Sequence, residues 1–296
     1  MTTNLLRQPT SISSLITDIY SIIQQKDTGW FTHELAARLG EDIASRLRSQ
    51  LGDRRPEPRL RLSQMGPRCP RALWYSIHQP AMAEALPPWA EIKYSFGHTL
   101  EALAVSLARA AGHEVLGEQD EVSVDGIIGH RDCVIDGCIV DVKSCSQRSF
   151  DKFKSGLIAQ MDDFGYLDQL DGYVVGSAND ELVRCKDRGY ILAVNKVLGH
   201  LYLYEHKIRP AHIKERIRSY KSIVGRDSPP ECECGTVPDG KSGNIKLDTR
   251  ASYNVFKFCC RPTIRTFLYA DGIRYLTHVE RKPDVPEIDK EGNLLG

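Results

Sequence analysis

The sequence predicts an α/β domain built around a mixed β-sheet, and three observations carry this prediction. A stretch rich in Ala and Leu, about residues 88–111, has the composition of a long helix. Segments rich in Val and Ile follow it as candidate strands, and a second helix is expected from about 160 to 175. Two more strand-like segments then precede a basic helix. Helix, consecutive strands, helix and strands in this order are typical of an α/β core with a mixed sheet.

Local signals place the boundaries of these elements. Pro87 and Pro88 precede the long helix, and Gly112 ends it. Residues 11–52 are expected to form two or three short amphipathic helices, which end near Pro56. The remaining strands and the basic helix are expected at residues 114–124, 127–135, 138–145, 190–195, 201–206 and about 211–224. After these, Pro, Gly and Cys become frequent, which indicates an irregular C-terminal tail.

These elements divide the chain into an N-terminal helical region (1–60), a core (61–225) and a Cys-containing C-terminal appendage (226–296). The formal net charge of +0, from 39 basic and 39 acidic residues, argues against a general nucleic-acid-binding coat, so any such surface is a local patch. The sequence shows no apolar run of transmembrane length and no secretory signal, so no membrane association is expected. Nine scattered cysteines do not indicate a disulfide scaffold and favour a reducing cytoplasm.

One segment predicts a β-hairpin that brings two carboxylates together. Asp136 and Gly137 form a favoured two-residue turn, since a type I′ turn requires positive φ at both central positions. This turn fixes the register, so Asp132 would lie opposite Asp141 and residue 130 opposite Lys143. Two opposed carboxylates repel each other, and a hard divalent cation such as Mg²⁺ would offset that cost. Ionic strand faces also occur on surface hairpins, so this geometry alone leaves a simple solvated face open.

The other face of the hairpin is apolar. Because side chains alternate along a strand, a single face would carry Cys133, Ile135, Cys138, Val140 and Val142. This face is expected to be buried. Lys143, on the polar face, could then hold an attacking water or stabilise charge on a phosphate.

Four short motifs occur in a fixed order along the core. Gly97–Glu101 lies on the long helix, Gly129–Asp132 and Asp141–Lys143 lie on the hairpin, and Gln169–Tyr173 lies on the following helix. In this order they resemble the acidic, GhxD, (D/E)xK and QxxxY motifs of the RecB-type branch of the PD-(D/E)XK nuclease superfamily. That branch includes lambda exonuclease and the CRISPR-associated spacer-acquisition nucleases. The resemblance covers about residues 63–210 and implies a restriction-endonuclease-like core, a central mixed sheet flanked by helices.

The resemblance implies a metal site and a catalytic lysine. Asp132, Asp141 and the backbone carbonyl of Val142 would bind Mg²⁺ or Mn²⁺. Glu101 would complete the coordination, directly or through water. Lys143 would position the nucleophilic water.

The same resemblance gives the helix after the hairpin a supporting role. Gln169 and Tyr173 would hold the DNA backbone or brace the site. His98 and His130 are candidates either for metal ligands or for hydrogen-bond partners of the carboxylates.

Some RecB-type nucleases carry an iron–sulfur cluster held by one cysteine before the core and three after it. Cys69 resembles the first of these ligands, but Ala251 and Asn254 stand where two of the others would be needed. This departure favours loss of the cluster. If an iron–sulfur or zinc site exists, its ligands would be Cys69, Cys232, Cys234 and Cys260. The other core cysteines are interpreted as small buried residues: Cys133, Cys138, Cys145 and Cys185.

The function expected from these features is Mg²⁺-dependent hydrolysis of phosphodiester bonds in DNA. Within that class the relatives favour an exonuclease of recombination, repair or phage DNA metabolism, acting in the cytoplasm of a bacterial or phage-infected cell. A structure-specific endonuclease and a catalytically silent DNA-binding subunit of a larger complex are the alternatives. DNA is the expected partner, and a recombination or replication protein is a further candidate.

Overall fold

The computed structural model of the protein describes residues 11–25, 28–52, 58–85 and 87–295. Its α-helices are α1 (Leu15–Gln24), α2 (His33–Leu51), α3 (Pro70–His78), α4 (Pro88–Ala110), α5 (Gln147–Lys154), α6 (Tyr166–Gly176), α7 (Pro210–Val224), α8 (Thr249–Ser252) and α9 (Lys257–Cys260). Its strands are β1 (Val115–Leu116), β2 (Glu121–Val124), β3 (Ile127–His130), β4 (Cys133–Ile135), β5 (Cys138–Cys145), β6 (Arg188–Asn195), β7 (Leu201–Lys207), β8 (Thr236–Pro238), β9 (Ile245–Leu247), β10 (Arg265–Tyr269), β11 (Gly272–His278), β12 (Glu287–Ile288) and β13 (Leu294–Leu295). No helix in these ranges has both the length and the apolar character that a membrane crossing requires.

Parts of the expected N-terminal helical region cannot be compared with the prediction. Residues 1–10, 26–27 and 53–57 lie outside the described residues, and with them the helix end predicted near Pro56. The described part of this region contains α1 and α2, which fit the amphipathic helices expected over residues 11–52. The division of the chain at residues 60 and 225 stays a prediction.

The central sheet is mixed, as predicted. Its strand order is β1-β4-β5-β6-β7, with β5 and β6 parallel and the other neighbours antiparallel. Parallel neighbours need a long crossover, and α5 and α6 supply it. The sequence analysis missed α5, whose Ser146 side chain accepts a hydrogen bond from Ser149 N.

Helices cover both faces of this sheet. α1 and α4 pack on one face, where all five hairpin residues expected to be buried lie in the core. α5, α6 and α7 pack on the other face, against Ile139 and Cys145 of β5. The expectation of an α/β core with a central mixed sheet flanked by helices is therefore confirmed. Asp141 and Lys143, which alternate with the first set, are on the α6 side.

The hairpin has the predicted turn and register. Ile135 pairs with Cys138 and Cys133 with Val140, and both Asp136 and Gly137 have positive φ, 51° and 80°. The expected pairing of residue 130 with residue 143 is wrong, since His130 pairs with Glu121 in a separate two-stranded sheet, β2-β3.

A buried arginine lies between β3, in the two-stranded sheet, and β4, where the chain re-enters the central sheet. Arg131 is 1% exposed, and its guanidinium forms ion pairs with Asp120 and Asp180. A buried charge is stable only when it is paired, so these two carboxylates fix the backbone at this point. The predicted strand over 127–135 is divided here into β3 and β4.

The prediction of an irregular C-terminal tail is corrected by the structure. The segment after α7 contains an antiparallel sheet with the order β13-β12-β10-β11-β9-β8. The strands in this sheet are two to seven residues long. Such short strands, separated by Gly- and Pro-containing turns, hide the alternation by which strands are recognised in a sequence. A small apolar cluster joins this segment to α3 through Ala72 and Tyr75.

Two of the core cysteines are bonded to each other. Cys138, at the start of β5, forms a disulfide with Cys185, just before β6. Of the four interpreted as small buried residues, Cys138 is buried but disulfide-bonded, Cys185 is only partly buried, and Cys133 and Cys145 are free and buried. The disulfide joins the hairpin turn to the segment that leads into the neighbouring strand.

The loops before α3 and before α6 touch at a pair of glycines. A Cβ built on Gly165 would lie 2.0 Å from Gly66 Cα, and a Cβ on Gly66 would lie 2.5 Å from Gly165 Cα. Gly165 also has a φ of 74°, which favours glycine. This contact fixes the start of α6 relative to the loop that carries Cys69.

We expect Gly165→Ala to lower the free energy of unfolding by at least about 1 kcal/mol more than Gly199→Ala. Gly199 has a similar φ of 72° but open space around its would-be Cβ, so it is the matched control for backbone conformation. Urea unfolding of both variants measures the difference. Equal losses would show that the two loops do not meet as closely as described.

Candidate active site

Asp132 and Asp141 meet at the end of the hairpin ladder. Asp132 follows β3, and its Oδ2 accepts a hydrogen bond from Val142 N at 2.8 Å. Asp141 is fully buried, and Lys143 Nζ lies 2.7 Å from its Oδ2. Apart from this ion pair, no group in the described part of the chain donates a hydrogen bond to either oxygen of Asp141. A buried carboxylate in this condition is suited to binding a cation.

The protonation behaviour of these residues reflects their crowding. Burial raises the pKa of Asp141 to about 7; Lys143 opposes that change and Asp132 adds to it. Burial alone would lower the pKa of Lys143, but Asp141 and Asp132 more than offset it, so its pKa lies above the usual range. Lys143 is therefore a cation at neutral pH, beside carboxylates that lack a full complement of positive charge.

Glu101 on α4 adds a third carboxylate. Burial and the charge of Asp132 raise its pKa to about 8, while Arg46 lowers it. Arg46 Nη1 donates to Glu101 Oε1 at 2.6 Å, and Gln119 Nε2 donates to the same oxygen at 3.0 Å. Sequence reasoning missed Arg46 and Gln119. Arg46 lies on α2, outside the segment that carries the motifs, and no local pattern marks either residue.

α6 braces Lys143 from the other side. Lys143 Nζ donates to Gln169 Oε1 at 3.5 Å, and Gln169 Nε2 donates to Tyr173 OH at 2.7 Å. The Tyr166 ring centroid lies 5.2 Å from Lys143 Nζ, within the range of a cation–π contact. Sequence reasoning missed Tyr166, although it has helical spacing with Gln169 and Tyr173 and so shares their face of α6.

The structure thus brings the sequence-predicted residues to one place. Contacts or mutual electrostatic effects connect Glu101, Asp132, Asp141, Lys143, Gln169 and Tyr173. Val142 contributes its N–H to Asp132, and the metal-binding role of its carbonyl stays a prediction. His130 is exposed on β3. The catalytic roles of all these residues also stay predictions.

Carboxylates on another face of α6 hold this helix against β7 and α7. Asp171 is fully buried and accepts hydrogen bonds from Arg209 Nε at 2.8 Å and from Arg209 N at 3.0 Å. His206 Nε2 lies 2.9 Å from the same carboxylate. Asp168 accepts a further hydrogen bond from Arg209 Nη2 at 2.8 Å. Charge-assisted bonds of this kind fix the rotation of α6 and hence the direction in which Gln169 points.

Asp162 caps the start of α6. Its carboxylate accepts hydrogen bonds from the backbone N–H groups of Gly165, Tyr166 and Leu167 at 2.9, 3.0 and 2.8 Å. These donors have no partner within the helix, so the carboxylate satisfies them and complements the helix dipole. The predicted helix start near residue 160 moves to Tyr166 because Gly165 adopts a left-handed conformation.

Four cysteines form a second candidate centre, away from the carboxylates in sequence. The Sγ atoms of Cys69, Cys232, Cys234 and Cys260 all lie within 4.8 Å of one another. Cys69 Sγ is 4.0 Å from the sulfurs of both Cys232 and Cys260. These are the four cysteines that the sequence analysis named as ligands of a possible site through the family resemblance, although their spacing fits no usual ligand template.

Hydrogen bonds to sulfur prepare this set for a metal. Glu233 N donates to Cys69 Sγ at 3.3 Å. Asn254 Nδ2 lies 3.6 Å from the sulfurs of both Cys234 and Cys260. Hydrogen bonds from the thiols of Cys234 and then Cys260 lower the pKa of Cys69 well below its usual value. One thiolate, the form that binds metal, is thus already stabilised.

The spacing of the sulfurs discriminates between metal groups. Tetrahedral Zn²⁺ with bonds of ~2.3 Å places its sulfurs about 3.8 Å apart. In a [4Fe–4S] cluster the iron atoms stand between the thiolates, which are therefore further apart. The separations of 4.0 to 4.8 Å fit a single tetrahedral ion better.

No family model matches the chain, and no curated protein matches it. Its fold is similar to the crystal structure of SSO0001, with a TM-score of 0.41 and 16% identity over 75% of this chain and 95% of that chain. It is also similar to LHK-Exo, an alkaline exonuclease from Laribacter hongkongensis, with a TM-score of 0.37 and 15% identity over 67% of this chain and 91% of that one. LHK-Exo in complex with dAMP gives a TM-score of 0.38 and 12% identity over 62% and 90% of the two chains. Similarities at this level carry no conclusion about activity.

We expect Asp162→Ala to lower the free energy of unfolding by about 1 kcal/mol, because backbone donors at the start of α6 lose their acceptor. Asp163→Ala is the matched control, since the Asp163 side chain is 44% exposed and forms only a surface ion pair with Lys152. Urea unfolding compares the two variants. A loss in Asp163→Ala as large as that in Asp162→Ala would contradict the capping role.

Proposed function

We propose that this chain is a divalent-metal-dependent DNA nuclease. One observation carries the proposal. Apart from its ion pair with Lys143, the buried carboxylate of Asp141 accepts no hydrogen bond from the described residues, and it shares its site with Asp132 and Glu101. Burial and nearby negative charge raise the pKa values of Asp141 and Glu101. A hard divalent cation would balance that charge.

The donor set fits Mg²⁺ or Mn²⁺. Asp132, Asp141, Glu101 and the carbonyl of Val142 offer oxygen ligands only, which these ions prefer. When bound, such an ion supplies Lewis-acid stabilisation of the entering and leaving oxygens of a phosphodiester.

The protein side chains position the nucleophile. Lys143 is protonated and held between Asp141 and Gln169, so its N–H groups can orient a water or donate to a phosphate oxygen. Gln169 is itself held by Tyr173, which limits how its amide can turn. Preorganised donors of this kind stabilise developing charge without reorganisation during the reaction.

Within this class we propose an exonuclease acting in recombination, repair or phage DNA metabolism, in the cytoplasm of a bacterial or phage-infected cell. The order of the four sequence motifs supports this choice. A recombination or replication protein is the proposed partner beside DNA. A silent DNA-binding role is disfavoured because Asp132, Asp141 and Lys143 are all present and lie together.

We expect Lys143→Ala to slow cleavage of end-labelled linear DNA with Mg²⁺ or Mn²⁺ by at least about 100-fold, because the cation beside the reacting groups is lost. Lys290→Ala, which removes an ammonium exposed on the C-terminal segment, is the matched control and should cleave like the wild type. EDTA should abolish cleavage by both.

Closed circular DNA in the same assay separates the proposed exonuclease from an endonuclease, which would cut both substrates. A wild-type protein that is inert on single- and double-stranded DNA with either metal would overturn the nuclease proposal. The DNA-binding alternative would then lead.

We also propose that Cys69, Cys232, Cys234 and Cys260 bind one structural Zn²⁺ ion. The sulfur separations and the four-thiol donor set support this, and a site without an open position for substrate is typical of structural zinc. The ion would tie the loop before α3 to the C-terminal segment.

Elemental analysis of protein purified without added metal should find about one zinc per chain and little iron. Cys260→Ser should reduce the zinc content and the thermal stability, because one of the four ligands is lost. Cys259→Ser, a neighbouring thiol outside the set, should change neither. Stoichiometric iron with a visible charge-transfer absorption would instead indicate a cluster.

A further inference from the structure

We propose that Tyr166, Phe164 and Tyr253, together called the aromatic track, bind successive bases of a single DNA strand next to Lys143. The proposal rests on the proposed nuclease function, which it extends to the form of the substrate. In this proposal, the surface beside the carboxylates binds an unpaired DNA strand.

The track is a continuous series of ring contacts that starts at the candidate catalytic lysine. The Tyr166 ring lies 5.2 Å from Lys143 Nζ, and its centroid is 5.7 Å from that of Phe164 in a stacked arrangement. The Phe164 and Tyr253 centroids are 5.9 Å apart, edge to face. Lys93 Nζ lies 5.6 Å from the Tyr253 ring and ends the series.

The inner end of the track is anchored and the outer end is open. Tyr166 is half-buried and also stacks on Phe153, which is fully buried. Phe164 and Tyr253 are 42% and 57% exposed, so part of each ring surface is open to solvent. An anchored inner ring with exposed outer rings suits a stacking surface, since little side-chain freedom is lost on binding.

The backbone around both exposed rings is fixed. Phe164 lies between Asp162, which caps α6, and Gly165, which contacts Gly66. Tyr253 precedes Asn254, whose side chain approaches two sulfurs of the four-cysteine set. The cysteine set therefore positions the outer ring of the track.

Chemistry favours an unpaired nucleic-acid strand over other occupants. Base faces are available for stacking on aromatic rings only when the bases are not stacked in a duplex. The ammonium groups at the two ends, Lys143 and Lys93, complement the phosphates that accompany such bases. A protein partner with an apolar patch is the alternative outcome of the test.

The test measures binding separately from cleavage. The full-length protein is titrated without added Mg²⁺ or Mn²⁺ and without a chelator, which keeps any bound zinc, against a fluorescently labelled oligothymidylate, the same strand with abasic positions, and a blunt duplex of equal length. The variants are Phe164→Ala, Tyr253→Ala, the double variant and the conservative Tyr253→Phe. Phe31→Ala, which removes a ring of similar exposure (44%) in the N-terminal region, is the matched control. Circular dichroism confirms folding of each.

We expect the double variant to bind oligothymidylate on the order of 10- to 100-fold more weakly than the wild type, with Tyr253→Phe and Phe31→Ala unchanged. The abasic strand should bind weakly to the wild type and lose little more in the double variant. An equal loss on the abasic strand, an unchanged affinity of the double variant for oligothymidylate, or no binding of oligothymidylate by the wild type overturns the proposal. Because binding is measured without added Mg²⁺ or Mn²⁺, this result does not depend on whether the protein cleaves DNA.

Discussion

The contact between Asp141 and Lys143 is the interaction on which the rest of the site depends. Both residues lie on β5, an interior strand whose neighbours are β4 and β6, so their charges sit within the protein and not at its surface. Burying an ion pair costs desolvation energy that the pair alone rarely recovers. The surrounding structure must therefore hold the pair by other means. α6 provides Gln169 and Tyr173, and β4 leads from Asp132 into the hairpin.

Residues from several elements hold this pair in place. α6 is fixed at its start by Asp162 and along another face by Asp168 and Asp171, which bind Arg209. The third carboxylate, Glu101, comes from α4 and forms an ion pair with Arg46 of α2. Each support comes from a different part of the chain. The candidate site is thus a product of the tertiary fold, although its central residues lie in one hairpin.

The hairpin could be predicted in detail because its determinants are local. Asp136 and Gly137 specify the turn, and the alternation of β5 then assigns each residue to a face. The break at Arg131 could not be predicted, since it depends on Asp180, which is distant in sequence. The same holds for Arg46. The meeting of Cys69 with the C-terminal cysteines was expected only through the family resemblance, because no local spacing pattern indicates it. The strands of the C-terminal segment were missed for a different reason: most are only two or three residues long, and β10 and β11 do not alternate between buried and exposed positions.

The position of Cys69 has a consequence for the order of events during synthesis. It is separated from Cys232 by 163 residues and from Cys260 by 191. The four sulfurs can therefore meet only once the chain has been synthesised through Cys260. A chain truncated before that residue lacks at least one member of the set, so the assembled sulfurs require nearly the whole length of the protein.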